Sequence, residues 1–343
     1  MNALAFVALA GAIGSCQPST SENTVISKFE WYASESAPKD YPAYLLTSFL
    51  LLRDGNTEGL PSDRVVSTGW GELGSIQLIG DPLKAPPEKL DIRWYDLLAR
   101  TGFGGEIDLD TQNIEDRMRA GLRNEDGGEA HRIEAVLFGM APGGNLAVWV
   151  TGGRVTHLVS MHRLPMIEIP IADMSNDPAD THATFANRYL DLLLPEKAAG
   201  ANRTPPPEGQ WQAYAQRSDY RPLVTGEFTG DLLWMTFLNG ETDWFDLSGE
   251  RDKPSSVEAP GLALPVKADF TWTGPTGRKF VALVEFDEAE VREAFARLSN
   301  GTDARPMVIE FEPVESTLKV DVFLRAGKQF YRFEKLKSVI SAP

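Results

Sequence analysis

Two stretches of the chain, one in each half, carry the same local signals in the same order, so the chain is expected to fold as two similar units. The first runs Leu90-Asp91-Ile92-Arg93-Trp94, a turn-rich gap, then Glu106-Ile107-Asp108-Leu109-Asp110. A helical pattern follows with Ile114, Met118 and Leu122 on one face. The second runs Ala268-Asp269-Phe270-Thr271-Trp272, a Gly/Pro turn, Leu283-Val284-Glu285-Phe286-Asp287, and a helical pattern with Val291, Phe295 and Leu298 aligned. Asp110 and Asp287 stand where a helix N-cap is wanted, and Glu290 makes the second resemble a capping box.

Each helix precedes two alternating strands, 133–138 and 146–150 or 307–311 and 318–324, then a glycine turn (Gly152-Gly153 or Gly327) and a further apolar strand. Upstream, 45–52 before Asp54-Gly55 matches 232–238 before Asn239-Gly240, and both dipeptides signal hairpins because the central residues need positive φ. The fold class is therefore α+β and β-rich: two similar antiparallel-sheet units, each with a short helix, joined by a helix and a Pro-rich linker. The spacing of Phe185, Tyr189 and Leu193 predicts the joining helix over 177–194, and Pro205-Pro206-Pro207 marks the stiff linker. The units are placed at 28–194 and 221–343, with the linker at 195–220.

Residues 3–13 form an apolar run of leader length, too short to span a bilayer, ending in Ile13-Gly14-Ser15-Cys16. This resembles a bacterial lipobox, with 1–15 as signal peptide, Cys16 as the lipid attachment site and 16–27 as a polar tether. Cys16 is the only cysteine, which excludes intramolecular disulfides and Cys-rich metal sites. Met1-Asn2 lacks the usual Lys or Arg and so departs from the lipoprotein pattern, which leaves a start upstream of Met1 open. Gln17 after the cysteine implies, by resemblance to enterobacterial sorting, the periplasmic face of the outer membrane.

The net charge of −16 disfavours nucleic acid and polybasic membrane contacts and would attract a basic partner, although acidity also simply keeps a protein soluble. Hydrolase-elbow, zincin, Cys-pair and P-loop motifs do not occur. Gly102-Phe103-Gly104-Gly105 reads as a hairpin turn rather than a dinucleotide loop. Asp108-x-Asp110-x-Gln112 opens like a calcium loop but has Asn113 and Arg119 where glycine and glutamate belong. His157 and His162, five apart, fall on opposite faces of a strand, and with His131 and His182 they suggest no metal site. No cofactor is expected. Asp243 and Asp246 beside Trp244 and Phe245 are the one cluster suited to a binding cleft, since aromatic rings stack on sugars and carboxylates serve as acid and base.

Ala37-Pro38, Tyr41-Pro42, Gly69-Trp70-Gly71, the segment 86–94 and Pro142-Gly143-Gly144, together with the lipobox, make the chain similar to bacterial lipoproteins of the domain of unknown function 2931 family. The resemblance covers about 28–170 and loosely the second half, and it implies no catalytic residues. The expected function is a non-catalytic protein-binding module on an outer-membrane lipid anchor. One form of it is an immunity or inhibitor protein whose partner is a basic periplasmic protein or toxin. The alternative is an envelope enzyme acting on glycan or lipid with carboxylates in an inter-unit cleft.

Overall fold

A computed structural model describes residues 26–76, 80–125, 127–194, 206, 209–225, 229–246, 261–273, 277–299, 307–314 and 316–341. The leader, Cys16 and most of the tether and Pro-rich segment lie outside these residues. The first half supplies β1 (Phe29–Glu30), β2 (Tyr32–Ser36), β3 (Ala43–Leu52), β4 (Thr57–Glu58), β5 (Arg64–Val66), β6 (Leu83–Lys84), β7 (Pro87–Asp96), β8 (Thr101–Asp108), α1 (Thr111–Ala120), β9 (Ala135–Ala141), β10 (Asn145–Gly152), β11 (Val155–Arg163) and β12 (Met166–Ile167). Helices α2 (His182–Leu193) and α3 (Gln210–Tyr214) connect the halves. The second half supplies β13 (Arg217–Ser218), β14 (Tyr220–Val224), β15 (Thr229–Phe237), β16 (Thr242–Asp246), β17 (Leu262–Ala263), β18 (Pro265–Thr273), β19 (Lys279–Glu285), α4 (Glu288–Ser299), β20 (Met307–Val314), β21 (Lys319–Ala326), β22 (Gln329–Arg332) and β23 (Lys337–Ser341).

The repeat is present in the pairing itself. One sheet of the first half runs β12-β8-β7-β3-β4, and its counterpart in the second runs β23-β19-β18-β15-β16. The other sheet runs β2-β9-β10-β11 in the first half and β14-β20-β21-β22 in the second. Even the small ribbons correspond, β1 with β6 and β13 with β17. Trp94 stands opposite Phe103, and Trp272 opposite Phe280, at the same place in the β7-β8 and β18-β19 pairs. Both hairpin glycines, Gly55 and Gly240, have φ 80°, where glycine carries no Cβ penalty. In each half the strand before the hairpin pairs parallel to the first meander strand (β2 with β9, β14 with β20), a feature that the local pattern does not announce.

Apolar residues of the two sheets and the helix close a main core in each half, with smaller clusters beside them. The first holds Leu90, Trp94, Ile114, Met118, Phe138 and Val148. The second holds Phe270, Val291, Phe295, Ile309, Phe311 and Val322. The halves are nevertheless one body, because β11 pairs with β16 and merges a sheet from each into a nine-stranded sheet. At the β2 end the segment around Gly69-Trp70-Gly71 is tied across the edge strand. Gly71 N donates to Ser36 Oγ (3.1 Å), Gly74 N to Ser34 Oγ (3.1 Å) and Ser75 N to Glu35 Oε1 (3.0 Å). Covering an edge in this way removes a template for unwanted pairing.

Several local expectations change. The joining helix begins at His182, behind the Thr181 cap, five residues later than the apolar spacing suggests. The glycines 102, 104 and 105 lie inside β8 rather than in a turn. A Cβ at Gly102 or Gly104 would come within 2.7 Å of the Ile167 or Ile92 carbonyl oxygen, so neighbouring strands demand glycine there. Asp110 caps α1 by accepting from Asn113 N, and Asp287 accepts from Glu290 N (2.9 Å). The Glu290 carboxylate does not close a capping box; it accepts from Glu334 N and Lys335 N (2.8 and 2.9 Å) and holds the segment before β23.

Helix α1 is held to the hairpin tip through Glu115, which is buried and pairs with Arg119 and with Arg53. The hydrogen bond from Arg119 holds its carboxyl below the ordinary value, against the opposing effect of burial. A depressed folded value means that the contribution is complete above the unfolded value of about 4.3 and is lost as pH falls through the folded one. Glu115→Gln is expected to cost about 1–2 kcal/mol at neutral pH. Because it removes this acid-sensitive contribution, the gap to the parent should narrow on acidification. Equal gaps at pH 7 and pH 3 in chemical denaturation would contradict this.

Candidate functional site

Asp243, Trp244 and Asp246 lie on β16, the strand that joins the halves. The Trp244 ring is fully buried in the first core, together with Trp234, although both belong to the second half. Its Nε1 donates to Arg123 O (3.2 Å), and the Arg123 guanidinium lies 3.7 Å over the ring. Asp243 is 3% exposed; its Oδ1 accepts from Trp244 N (2.8 Å) and its Oδ2 is 3.7 Å from His157 Nε2. Asp246 is half-buried at the end of the strand. The cluster is thus built into a packed joint, and no face of Trp244 is open for stacking on a ligand.

The Asn239-Gly240 turn seats on the first half at the same joint. Trp149 Nε1 donates to Asn239 O (3.0 Å) and Leu158 N donates to Glu241 Oε1 (3.0 Å). Glu241 is buried and also pairs with Arg217 (2.5 Å) and Asn239 Nδ2 (2.8 Å), so the charge is compensated. Trp70 meets Trp149 edge-on with ring centres 4.7 Å apart, and Trp211 of α3 lies 4.8 Å from Trp70.

His157 and His162 share a face of β11, contrary to a simple count of five. Leu158 stands opposite Trp149 and Ser160 opposite Val148, so Val159 is an extra residue that reverses the alternation. The histidines still have separate partners. His131 pairs with Glu125 (2.9 Å), His157 with Asp243, His162 with Ser160 Oγ (2.9 Å) and His182 with Ile169 O (2.8 Å). Burial pushes the His162 ring pKa down.

A different place offers an open concavity. A cleft of about 560 Å³ is formed where the chain around β1 and β2, the segment 80–84 that ends in β6, and the segment 129–134 converge. Carboxylates of Glu30, Asp81, Glu129 and Glu134 line it beside Trp31 and Tyr32. Glu30 pairs with Arg132 (2.8 Å), and Lys84 is drawn to Glu58 (2.8 Å). Among the described residues no cation of the chain pairs with Asp81, Glu129 or Glu134. Burial, and then the charge of Glu134, push the Tyr32 phenol pKa up. The chemistry of this lining suits a cation carried on a chain that also has an apolar or planar group.

Sequence reasoning missed this cleft because its walls come from three separated segments. The only local signal was the density of Glu and Asp between 125 and 134.

A family model described as a protein of unknown function (DUF2931) matches residues 16–197, a span that contains every wall of the cleft. No curated protein and no solved structure matches the chain.

Proposed function

Since the chain belongs to this family of proteins of unknown function, whose description carries no activity, we propose a role from the geometry: a non-catalytic protein-binding module that takes a basic segment of a partner into the acidic cleft. The observation that supports it is the convergence of Asp81, Glu129 and Glu134, free of ion pairs among the described residues, around an open space beside Trp31 and Tyr32. A lysine or arginine entering there gains charge pairing and lays its aliphatic stem against the half-buried Tyr32 ring. The lipobox-like Ile13-Gly14-Ser15-Cys16 gives the proposed address, a lipid anchor at the periplasmic face of the outer membrane. An inhibitor of a basic, envelope-attacking toxin is one partner class compatible with that address.

The test compares the parent with Glu129→Lys/Glu134→Lys. Both side chains are exposed, so stability should change by no more than about 0.5 kcal/mol. Pull-down from the native envelope should give one stoichiometric partner with the parent, released at high salt and absent with the double variant. Equal capture by both forms would remove the cleft from the account. Cys16→Ser should move the protein from the membrane to the soluble fraction; unchanged fractionation would refute the anchor.

A further inference from the structure

The joint between the halves is an asymmetric contact. It sets the outer strand of one unit's meander (β11) against the hairpin strand of the other unit (β16). Because the units share one topology, each chain retains the two complementary strand edges unpaired among the described residues. The meander edge of the second half is β22, and the hairpin edge of the first is β4; both end their sheets among the described residues.

The correspondence extends to single residues. Gly153 and Gly327 have the same φ of 59°, and counting four back from each gives Trp149 and Phe323. Counting three forward gives Thr156 and Phe330. Two residues after Gly240 and Gly55 come Thr242 and Thr57. In the joint Thr156 pairs with Thr242. The equivalent pair, Phe330 and Thr57, is exposed, Phe330 by 56%. The hairpin tips are built alike. Glu241 N donates to Asn239 Oδ1 (3.1 Å) and Asn56 N to Asp54 Oδ1 (3.2 Å), yet the first tip is buried and the second open to solvent.

We propose that a second copy of this chain docks head to tail, the Asp54-Gly55 hairpin and β4 edge of one copy meeting β22, Phe323 and Phe330 of the other in repetition of the internal joint. The occupant is a second copy because each copy carries both halves of a contact that the chain already makes with itself. The Phe323 ring has no N–H to give the incoming turn, as the Trp149 indole gives Asn239, so the association is weaker than the joint and depends on concentration. A head-to-tail contact leaves one surface of each kind open at the ends, so it continues into a ring or a filament. The docking surfaces do not include Glu129 or Glu134, although β4 borders the cleft through the pair of Glu58 with Lys84; the Glu129→Lys/Glu134→Lys variant therefore tests the cleft alone.

Sedimentation velocity on the chain carrying Cys16→Ser tests this without a lipid. The average mass should rise with concentration. Phe330→Glu and Thr57→Arg, both at exposed positions, should each weaken association about tenfold or more. Mixing the two variants should restore a dimer and no larger species, because each retains the surface that the other lacks. A parent that stays monomeric, association untouched by either variant, loss with only one of them, or a mixture that stays monomeric would each overturn the proposal.

Discussion

Trp244→Ala is expected to loosen the first half of the chain, although the residue belongs to the second. The ring is fully buried among first-half residues, and truncating a buried tryptophan costs about 3–5 kcal/mol through lost transfer energy and the cavity left behind. It also removes the donor to Arg123 O and the surface under the Arg123 guanidinium. Hydrogen exchange is the decisive measurement. Protection should fall in β9, β10 and α1 as well as in β15 and β16. Loss confined to the second-half strands would show that the joint does not couple the cores.

Gly71→Ala should be comparably severe for a backbone reason. Gly71 has φ 78°, and a Cβ built there lies 2.1 Å from the Gly240 carbonyl oxygen, across the joint. The positive φ costs an alanine about 1–2 kcal/mol, and forcing two backbones apart adds about 1–3 kcal/mol. The midpoint in urea should therefore drop strongly, with altered tryptophan fluorescence because Trp70 and Trp149 meet beside this contact. A midpoint within error of the parent would mean that the loop moves aside freely.

The repeat was readable in the chain because its markers are local. Asp-Gly and Asn-Gly turns, the capping Asp110 and Asp287, and the Trp94 and Trp272 positions are each set by neighbours within a few residues. What escaped reading depends on distant partners. Nothing near Tyr32 or Tyr220 says that the strand starting there pairs in parallel with one a hundred residues or so away in the first half or near Met307 in the second. One bulged residue, Val159, reverses the side assigned to His162. The acidic-aromatic run at Asp243–Asp246 resembles a ligand site in composition, yet the β11–β16 pairing turns Trp244 into core. The cleft depends on three segments that only the folded chain brings together.

The sharing of Trp234 and Trp244 with the first core bears on the order in which the polypeptide is made. Synthesis proceeds from the N-terminus, so all of β1 to β12 emerges before the residues that fill the remaining space in its interior. Until position 244 has followed, the leading half must wait with an apolar hollow and an unpaired β11 edge, a state open to chaperones and proteases. A fragment cut at the end of the family match, residue 197, would carry that vacancy permanently.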